Sequence, residues 1–339
     1  MCDESSIAQW PEPPAAGLAV VLVTPDRWDT IRQTAGLVQA QTVRSGIELV
    51  IVAPSAEVID LRAPELAGFH SIRVVAAGPI RSVAQANARG ALAATAPVVA
   101  FIEDHAFPDP DWAAALIRAH EGPWAAVSPV ARNAAPDSVV AWADHLVSYG
   151  PWMDPSPSGP RDSLCWHNVS YKRELLFALG DELEAQLSAE TNLHNRLTAE
   201  GRQLYLAGDA RIAHLGFVSF RGAMDESLYN GITFASGRVV GWPSWRRALY
   251  TVGAPLIPSL RLARLVRQLR ANPGQRNGVP IAAWSVVVLI LFAGALGELL
   301  GYSGRAGDID AKAARYEFRR RRASRVVAGE GGSAAGGQA

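Results

Sequence analysis

Cysteine is nearly missing: Cys2 and Cys165 are the two in a chain of 339 residues. They have no metal-ligand spacing and cannot form a disulfide framework, so the catalytic part is expected in a reducing compartment. Surplus charge is missing too, because 32 Lys and Arg balance 32 Asp and Glu. That balance gives no electrostatic footprint for DNA or RNA, and no nucleic-acid partner is expected. Met1 to Pro14 has neither a basic start nor an apolar stretch, so it does not read as a signal peptide. Residues 1–16 are expected to be a disordered lead. No internal repeat is visible. Hydrophobic residues are plentiful at 49%, and much of the excess follows Gly253.

From Leu18 onward, strand and helix patterns alternate. Leu18 to Val23 is a continuous Val-rich run, as expected of a strand buried on both faces. Pro25-Asp26 opens a helical stretch to about Gln41, with apolar positions at Trp28, Ile31, Ala35 and Val38. Glu48–Val52 and Ile72–Val75 read as the next strands, and Ser82 as the N-cap of a helix over Val83–Ala94. Val98–Ile102 is a fourth strand. The alternation predicts an α/β fold with a mainly parallel, Rossmann-like sheet. Further on, Trp124–Val130 is expected as a strand and Ser138–Tyr149 as a helix. Pro151–Pro160 is expected as a linker or mobile flap. Leu164–Tyr171, Ser188–Gly201 and Gln203–Leu206 read as strand, helix and strand, and beyond Phe220 the alternation stops.

The fourth strand ends in Glu103-Asp104-His105. Sites in such sheets lie at the carboxyl ends of strands, so polar residues placed there are candidates for function. Carboxylate oxygen suits Mg²⁺ and Mn²⁺, and imidazole is tolerated by Mn²⁺. A metal there would stabilise the diphosphate of a nucleotide sugar as leaving group. A solvated polar turn is the plain alternative.

Residues 18–217 resemble the family 2 glycosyltransferases of the GT-A fold. The resemblance is carried by the first strand, the Gln39-Ala-Gln-Thr42 helix end, and Ser82-Val-Ala-Gln-Ala-Asn-Ala-Arg-Gly90. It continues through Phe101-Ile-Glu-Asp-His105 and Pro108-Asp-Pro-Asp-Trp112. The resemblance implies that Asp104 and His105 contact metal and diphosphate, with His214 returning to them, and that Glu103 lies nearer the nucleoside. Thr24, Asp26 and Asn87 are implied on the nucleotide-sugar side. Asp26 reads equally well as a helix cap. His105 stands where the family commonly has Asp, and Val52-Ala-Pro-Ser55 lacks the acidic residue that often meets the nucleobase. Cys165-Trp-His-Asn-Val-Ser-Tyr171 resembles the segment that positions sugar and acceptor, which makes His167 and Asn168 acceptor or phosphate candidates. Ala189-Glu-Thr-Asn-Leu193 resembles the helix bearing the general base of inverting members; Thr191 replaces the usual Asp, leaving Glu190.

Ile281–Leu300 is apolar except for Ser285 and Glu298. Twenty residues at about 1.5 Å each span about 30 Å, the hydrocarbon thickness. Trp242–Leu269 mixes aromatic and aliphatic residues with arginines and reads as an interfacial helical region. Basic residues on both sides of the apolar segment, including Arg319–Arg322, favour a monotopic, re-entrant or hairpin attachment through residues 242–302 on the cytoplasmic face. The expected organisation is a GT-A domain over 17–220, membrane-associated helices over 221–302, and a basic then Gly/Ala-rich tail over 303–339. The expected activity is an inverting transfer from a nucleotide-sugar donor, using Mn²⁺ or Mg²⁺. The expected acceptor is a lipid-linked or glycan hydroxyl, with membrane lipids as further partners. Two alternatives stay open: a degenerate binding or scaffold protein of the same fold, and a sugar-phosphate nucleotidyltransferase. The second would need a phosphate loop that Thr24-Pro-Asp-Arg-Trp28 does not provide.

Overall fold

The computed structural model describes residues 16–304 apart from Ala189 and Val240. The expectations for residues 1–15 and for the tail beyond 304, Arg319–Arg322 included, lie outside the described residues.

One sheet organises the first two hundred residues. Its N-terminal half is β1 (Leu18–Val23), β2 (Ile47–Ala53), β3 (Ser71–Ala76) and β4 (Val98–Ile102), joined through α1 (Trp28–Gln39) and α2 (Val83–Ala93). These strands pair in parallel, in the order β3-β2-β1-β4. All of β1, β2 and β4 is buried, which explains their unbroken apolar runs. Ser82 caps α2, accepting the Gln85 N–H at 3.1 Å. Gly90 on α2 sits against β1 and β2, where a Cβ would meet Val21 at 2.4 Å.

Beyond β4 the pairing turns mixed. The remaining elements up to the end of the sheet are β5 (Ala106–Pro108), α3 (Trp112–His120), β6 (Ala126–Asn133), α4 (Val139–Tyr149), β7 (Gly159–Arg161), β8 (Ser170–Lys172), α5 (Arg173–Ala178), α6 (Leu183–Ser188), α7 (Glu190–Ala199) and β9 (Leu204–His214). β8 enters antiparallel between β4 and β6, β9 runs parallel to β6, and β5 closes the edge antiparallel to β9. The register of that edge sets Ala106 opposite His214. It therefore carries the end of β9 back to the turn that follows β4.

Three local expectations change. Leu164–Tyr171 is a strand only from Ser170, because His167 adopts a left-handed backbone (φ 64°) that no continuous strand allows. β9 is 11 residues long and runs well past the expected end at Leu206. Gly208 is needed there: a Cβ would lie 2.3 Å from the Ser156 carbonyl oxygen. The Pro151–Pro160 segment is tied down rather than free. It supplies β7, which pairs with β9, and Ser158 Oγ accepts the Gly208 N–H at 2.8 Å.

A buried acid locks the back of the sheet. Glu48 on β2 is fully buried, and its Oε2 accepts from Thr95 N–H (2.7 Å), Thr95 Oγ1 (2.9 Å) and Ala96 N–H (3.0 Å). A carboxylate so enclosed is tolerable because donors replace its hydration.

The rest is helical: α8 (Phe220–Arg238), α9 (Ser244–Gly253), α10 (Ile257–Ala271) and α11 (Ala283–Tyr302). α11 is long and apolar enough to cross a membrane, yet half of its most apolar stretch is buried against the protein. Glycines let α8 and α11 approach backbone to backbone. A Cβ on Gly231 would meet the Gly294 carbonyl oxygen at 2.2 Å, and one on Gly297 would meet the Leu228 carbonyl oxygen at 2.1 Å. Val287, Ile290 and Leu291 of α11 join the same hydrophobic cluster as the sheet. Two glutamines fasten these helices to the loop after α4. Gln268 donates to the Gly150 carbonyl and to Gln275 Oε1, and the buried Gln275 donates to the Met153 carbonyl at 2.8 Å and to Ser156 Oγ at 2.7 Å.

Because backbone rather than a flexible side chain blocks the space, Gly231→Ala and Gly297→Ala should each destabilise by about 1–3 kcal/mol. A lower Tm for both, beside a Gly237→Ala control that meets nothing within 4 Å and should hold or raise Tm, checks this in a thermal melt.

Candidate functional site

The site is built on the turn that ends β4. That turn closes when the Ala106 N–H bonds to the Glu103 carbonyl (3.1 Å). Thr34 Oγ1 of α1 anchors it at the Asp104 carbonyl (2.8 Å), and the Leu215 N–H does so at the His105 carbonyl (3.0 Å). Side chains 103 and 105 are thereby turned toward His214 at the end of β9. One ligand atom each from Glu103, His105 and His214 lies within 4.8 Å of the others.

Glu103 is the centre of this cluster. Its Oε2 accepts from Asn168 Nδ2 at 2.7 Å and lies 3.1 Å from His214 Nε2, while Oε1 lies 3.5 Å from His105 Nε2. Asn168 also accepts the Glu103 N–H at 3.1 Å and donates to the Tyr149 hydroxyl at 3.1 Å. Burial works to raise the Glu103 carboxyl pKa. The neighbouring His105, then the His214 hydrogen bond and the charges at His214 and His167, outweigh it and hold the group well below the usual carboxylate range. Glu103 is therefore an anion at neutral pH.

Asp104 is tied to the neighbouring imidazole. Its Oδ1 lies 2.7 Å from His105 Nδ1. In a neutral imidazole that contact puts the proton on Nδ1 and leaves a lone pair on Nε2. His105 Nε2 is buried, makes no hydrogen bond and looks toward the Glu103 carboxylate. The contact calls for positive charge between that nitrogen and the carboxylate, which a proton on His105 or a bound cation supplies. A carboxylate holding the far nitrogen of an imidazole is also the arrangement that steers histidine toward a metal. The donor set of one carboxylate and two imidazoles thus fits a divalent cation with open positions.

The other expected residues are spread around this centre. Asn168 belongs to it, through Glu103. His167 is close enough for its charge to act on Glu103. Its strained backbone is held by Glu190, whose Oε2 accepts the His167 N–H at 2.6 Å. Glu190 is buried at the start of α7, and it and Glu103 both act electrostatically on the Cys165 thiol that lies among them. Trp166 donates to Thr191 Oγ1 at 3.0 Å and is partly exposed beside this pair. Thr24 is buried after β1. Its hydroxyl accepts the Arg27 N–H (3.1 Å) and donates to the Arg27 carbonyl (2.7 Å), so it shapes the first loop. Asp26 is exposed and its Oδ1 takes the Arg27 N–H and the Thr30 hydroxyl, the role of a helix-start acid. Asn87 lies on the buried side of α2. Among the described residues, neither Asp26 nor Asn87 hydrogen-bonds to the cluster at Glu103.

Sequence reasoning missed Tyr149 and His145. Both lie on α4: Tyr149 packs on His214 with ring centroids 4.7 Å apart, and His145 stacks on Tyr149 at 5.3 Å. No motif marks them, since a helix end rich in apolar residues reads as core. Burial and the charge at His214 push His145 down to about 3. Burial likewise lowers His120 and His194 to about 4 and lifts Cys165 to about 12, so that thiol is inert as a nucleophile. A separate concavity lined by Asp109, Asp111, Arg118, Asp209 and Arg211 offers no such cluster. There Arg118 pairs with Asp209 at 2.8 Å and Asp109 pairs with Arg132.

No family model matches this sequence, and no curated protein matches it. Solved structures do. The mannosyltransferase PcManGT from Pyrobaculum calidifontis, in complex with GDP-Man and Mn²⁺, overlays at a TM-score of 0.50 with 17% identity, covering 86% of this chain and 89% of that one. TarS residues 1–349 from S. aureus overlay at 0.43 with 14% identity, covering 90% and 91%. GalNAc-T7, with UDP, GalNAc and Mn²⁺, overlays at 0.45 with 15% identity over 59% of this chain; the match spans 43% of its length. At these identities the likeness concerns architecture, and the PcManGT overlay is the one of the three that carries it. The chain has the GT-A fold.

The three histidines with lowered pKa values are neutral in the folded protein and take up protons when it unfolds. Their contribution is complete above about pH 6.5 and is lost as pH falls toward 4. At pH 5.5 each should cost on the order of 1 kcal/mol relative to neutral pH, a few kcal/mol in all. Denaturant melts at pH 7.5 and 5.5 check this; equal stabilities would contradict it.

Proposed function

We propose that this protein is a metal-dependent glycosyltransferase that moves a sugar from a nucleotide-sugar donor to a hydroxyl acceptor. The observation that carries the reading is the Glu103–His105–His214 cluster at the carboxyl end of β4, with Asp104 turning His105 into it. In a doubly wound sheet that is where ligands bind. The GT-A fold raises the prior for this chemistry, and PcManGT, which shares the fold, was solved with GDP-Man and Mn²⁺.

Glu103, His105 and His214 would hold the cation, and Asp104 would orient His105. Two imidazoles in the set favour Mn²⁺ over Mg²⁺, which prefers an oxygen shell. When bound, the cation supplies positive charge against the diphosphate of the donor. The protein's own residues do the rest. Thr24 and Asp26 shape the loop beside the nucleotide, and Asn87 lines the donor side. Asn168 and Tyr149 hold Glu103, and His167 faces the phosphate or the acceptor. Glu190 is the general base. It takes the proton of the acceptor hydroxyl as that oxygen bonds to the anomeric carbon and the bond to the diphosphate breaks, inverting the centre. Support for this role comes from its contact with the His167 N–H, which joins α7 to the loop bearing His167 and Asn168. The domain over 17–220 carries this chemistry. The helices over 221–302 attach it to the cytoplasmic face of a membrane, where a lipid-linked sugar or growing glycan is the acceptor.

The test is turnover of a panel of nucleotide sugars by the full chain, with membrane lipid extract as acceptor source, in Mn²⁺, Mg²⁺ or EDTA. Nucleoside diphosphate release is expected with Mn²⁺, weaker with Mg²⁺ and absent in EDTA. Glu103→Gln should abolish both Mn²⁺ binding and turnover, and His105→Ala should weaken Mn²⁺ binding and lower turnover. Glu190→Gln should keep Mn²⁺ binding and lower turnover about 10²–10⁴-fold, the usual worth of a general base. Mn²⁺ binding without release from any donor would leave a binding protein of this fold and sink the enzymatic reading.

A further inference from the structure

Between Ser227 and Gly297 the chain contains eight arginines and no Asp or Glu. This stretch covers most of the four C-terminal helices, so their net positive charge is a property of the region and not of one residue. The same region holds nine of the large hydrophobic side chains left exposed in the described residues. A basic surface with large exposed apolar side chains is what an anionic interface selects.

The pattern within the region is regular. Trp245, Leu249, Val252, Leu256 and Leu260 follow one another at intervals of 4, 3, 4 and 4 residues, and all are 57–79% exposed. Such spacing is one face of a helix. It survives the junction between α9 and α10 because Gly253, Ala254, Leu256 and Ile257 all keep right-handed helical backbone. Continued along α10, the same spacing reaches Arg264 and Arg267, which are exposed, as is Arg270. The face therefore passes from acyl-seeking to headgroup-seeking side chains along its length. α9 and α10 pack along α11, whose own exposed stripe is Leu289, Phe292 and Leu296.

α11 is not free to leave this packing. Its glycines abut α8, and its buried Glu298 is held by Arg261 at 2.6 Å and by the Tyr302 hydroxyl at 3.0 Å. Crossing a bilayer would strip those contacts and expose the Glu298 carboxylate to hydrocarbon. We infer that the α9–α10 face, together with the Leu289–Leu296 stripe of α11, is a monotopic docking surface for an anionic phospholipid bilayer, on which the helices lie in plane and α11 does not cross. The inference deepens the membrane attachment proposed above and rests on it.

The test floats the purified full chain with vesicles of phosphatidylcholine, with or without phosphatidylglycerol, and measures Mn²⁺ binding separately by calorimetry without vesicles. The chain should float with the anionic vesicles, bind neutral ones weakly, and be released by high salt or alkaline carbonate. Arg264→Gln, Arg267→Gln and Arg270→Gln combined should weaken binding about a hundredfold, at about a factor of five for each charge near the surface. Leu249→Asp with Val252→Asp should abolish it; both positions are exposed, so the fold should hold and Mn²⁺ binding should stay unchanged. Retention in alkaline carbonate would mean that α11 crosses and would overturn the in-plane arrangement. Failure to float, with a dimer in sedimentation that the Asp variants dissolve, would make the face a contact between two copies and overturn the lipid assignment. Loss of Mn²⁺ binding with flotation intact would count against the catalytic reading alone and leave the surface standing.

Discussion

A buried carboxylate needs replacement for the water it has lost, and at Glu103 four separate elements take part. β4 delivers the side chain, the segment before β8 brings Asn168, β9 ends at His214, and α4 adds Tyr149 behind Asn168. The antiparallel insertion of β8 and the short edge strand β5 make sense in these terms. Without β8 beside β4, Asn168 would not reach Glu103, and without the pairing of Ala106 with His214 the second imidazole would be elsewhere. The cost of burying the charge is offset by hydrogen bonds that also fix its direction. The same fixing leaves the cluster fit for a cation.

The helices after Phe220 are coupled to this centre. Gln268 of α10 bonds to the Gly150 carbonyl, one residue from Tyr149, and Gln275 bonds to Met153 and Ser156 beyond it. The chain of contacts runs from α10 through the end of α4 to Tyr149, Asn168 and Glu103. The segment between α4 and β8 is rich in Pro, Ser and Gly, yet it is a packed joint whose backbone groups are claimed by the C-terminal helices. The C-terminal helices and the Glu103 cluster are therefore joined by one run of hydrogen bonds and backbone.

Much of the first half was legible because its signals are local. The strands Leu18–Val23 and Val98–Ile102 have the expected bounds, since a doubly buried strand must be apolar at every position. Ser82 caps its helix as expected, and the helix expected from Ser138 starts there with Ser138 as its cap. The errors fall where long-range contacts override local preference. His167 breaks a strand-like stretch because Glu190, 23 residues later, holds its N–H. The strand expected to stop at Leu206 runs on to His214, through a Gly208 that the approach of Ser156 requires. At the site the sequence marks the Glu103-Asp104-His105 triplet, but which carboxylate faces His214 depends on a turn fixed by Thr34 and Leu215. Tyr149 carries no signal at all, because its part is defined only by what packs on it.

The central claim is that Glu103, His105 and His214 form one cation site with two imidazole donors. The most direct measurement is pulsed electron-nuclear double resonance on the full chain loaded with one equivalent of Mn²⁺. Two ¹⁴N couplings are expected, with one lost in His105→Ala and one in His214→Ala, and both retained in Asp104→Asn. A manganese signal with oxygen ligands only, or with couplings unchanged in the two histidine variants, would contradict the account.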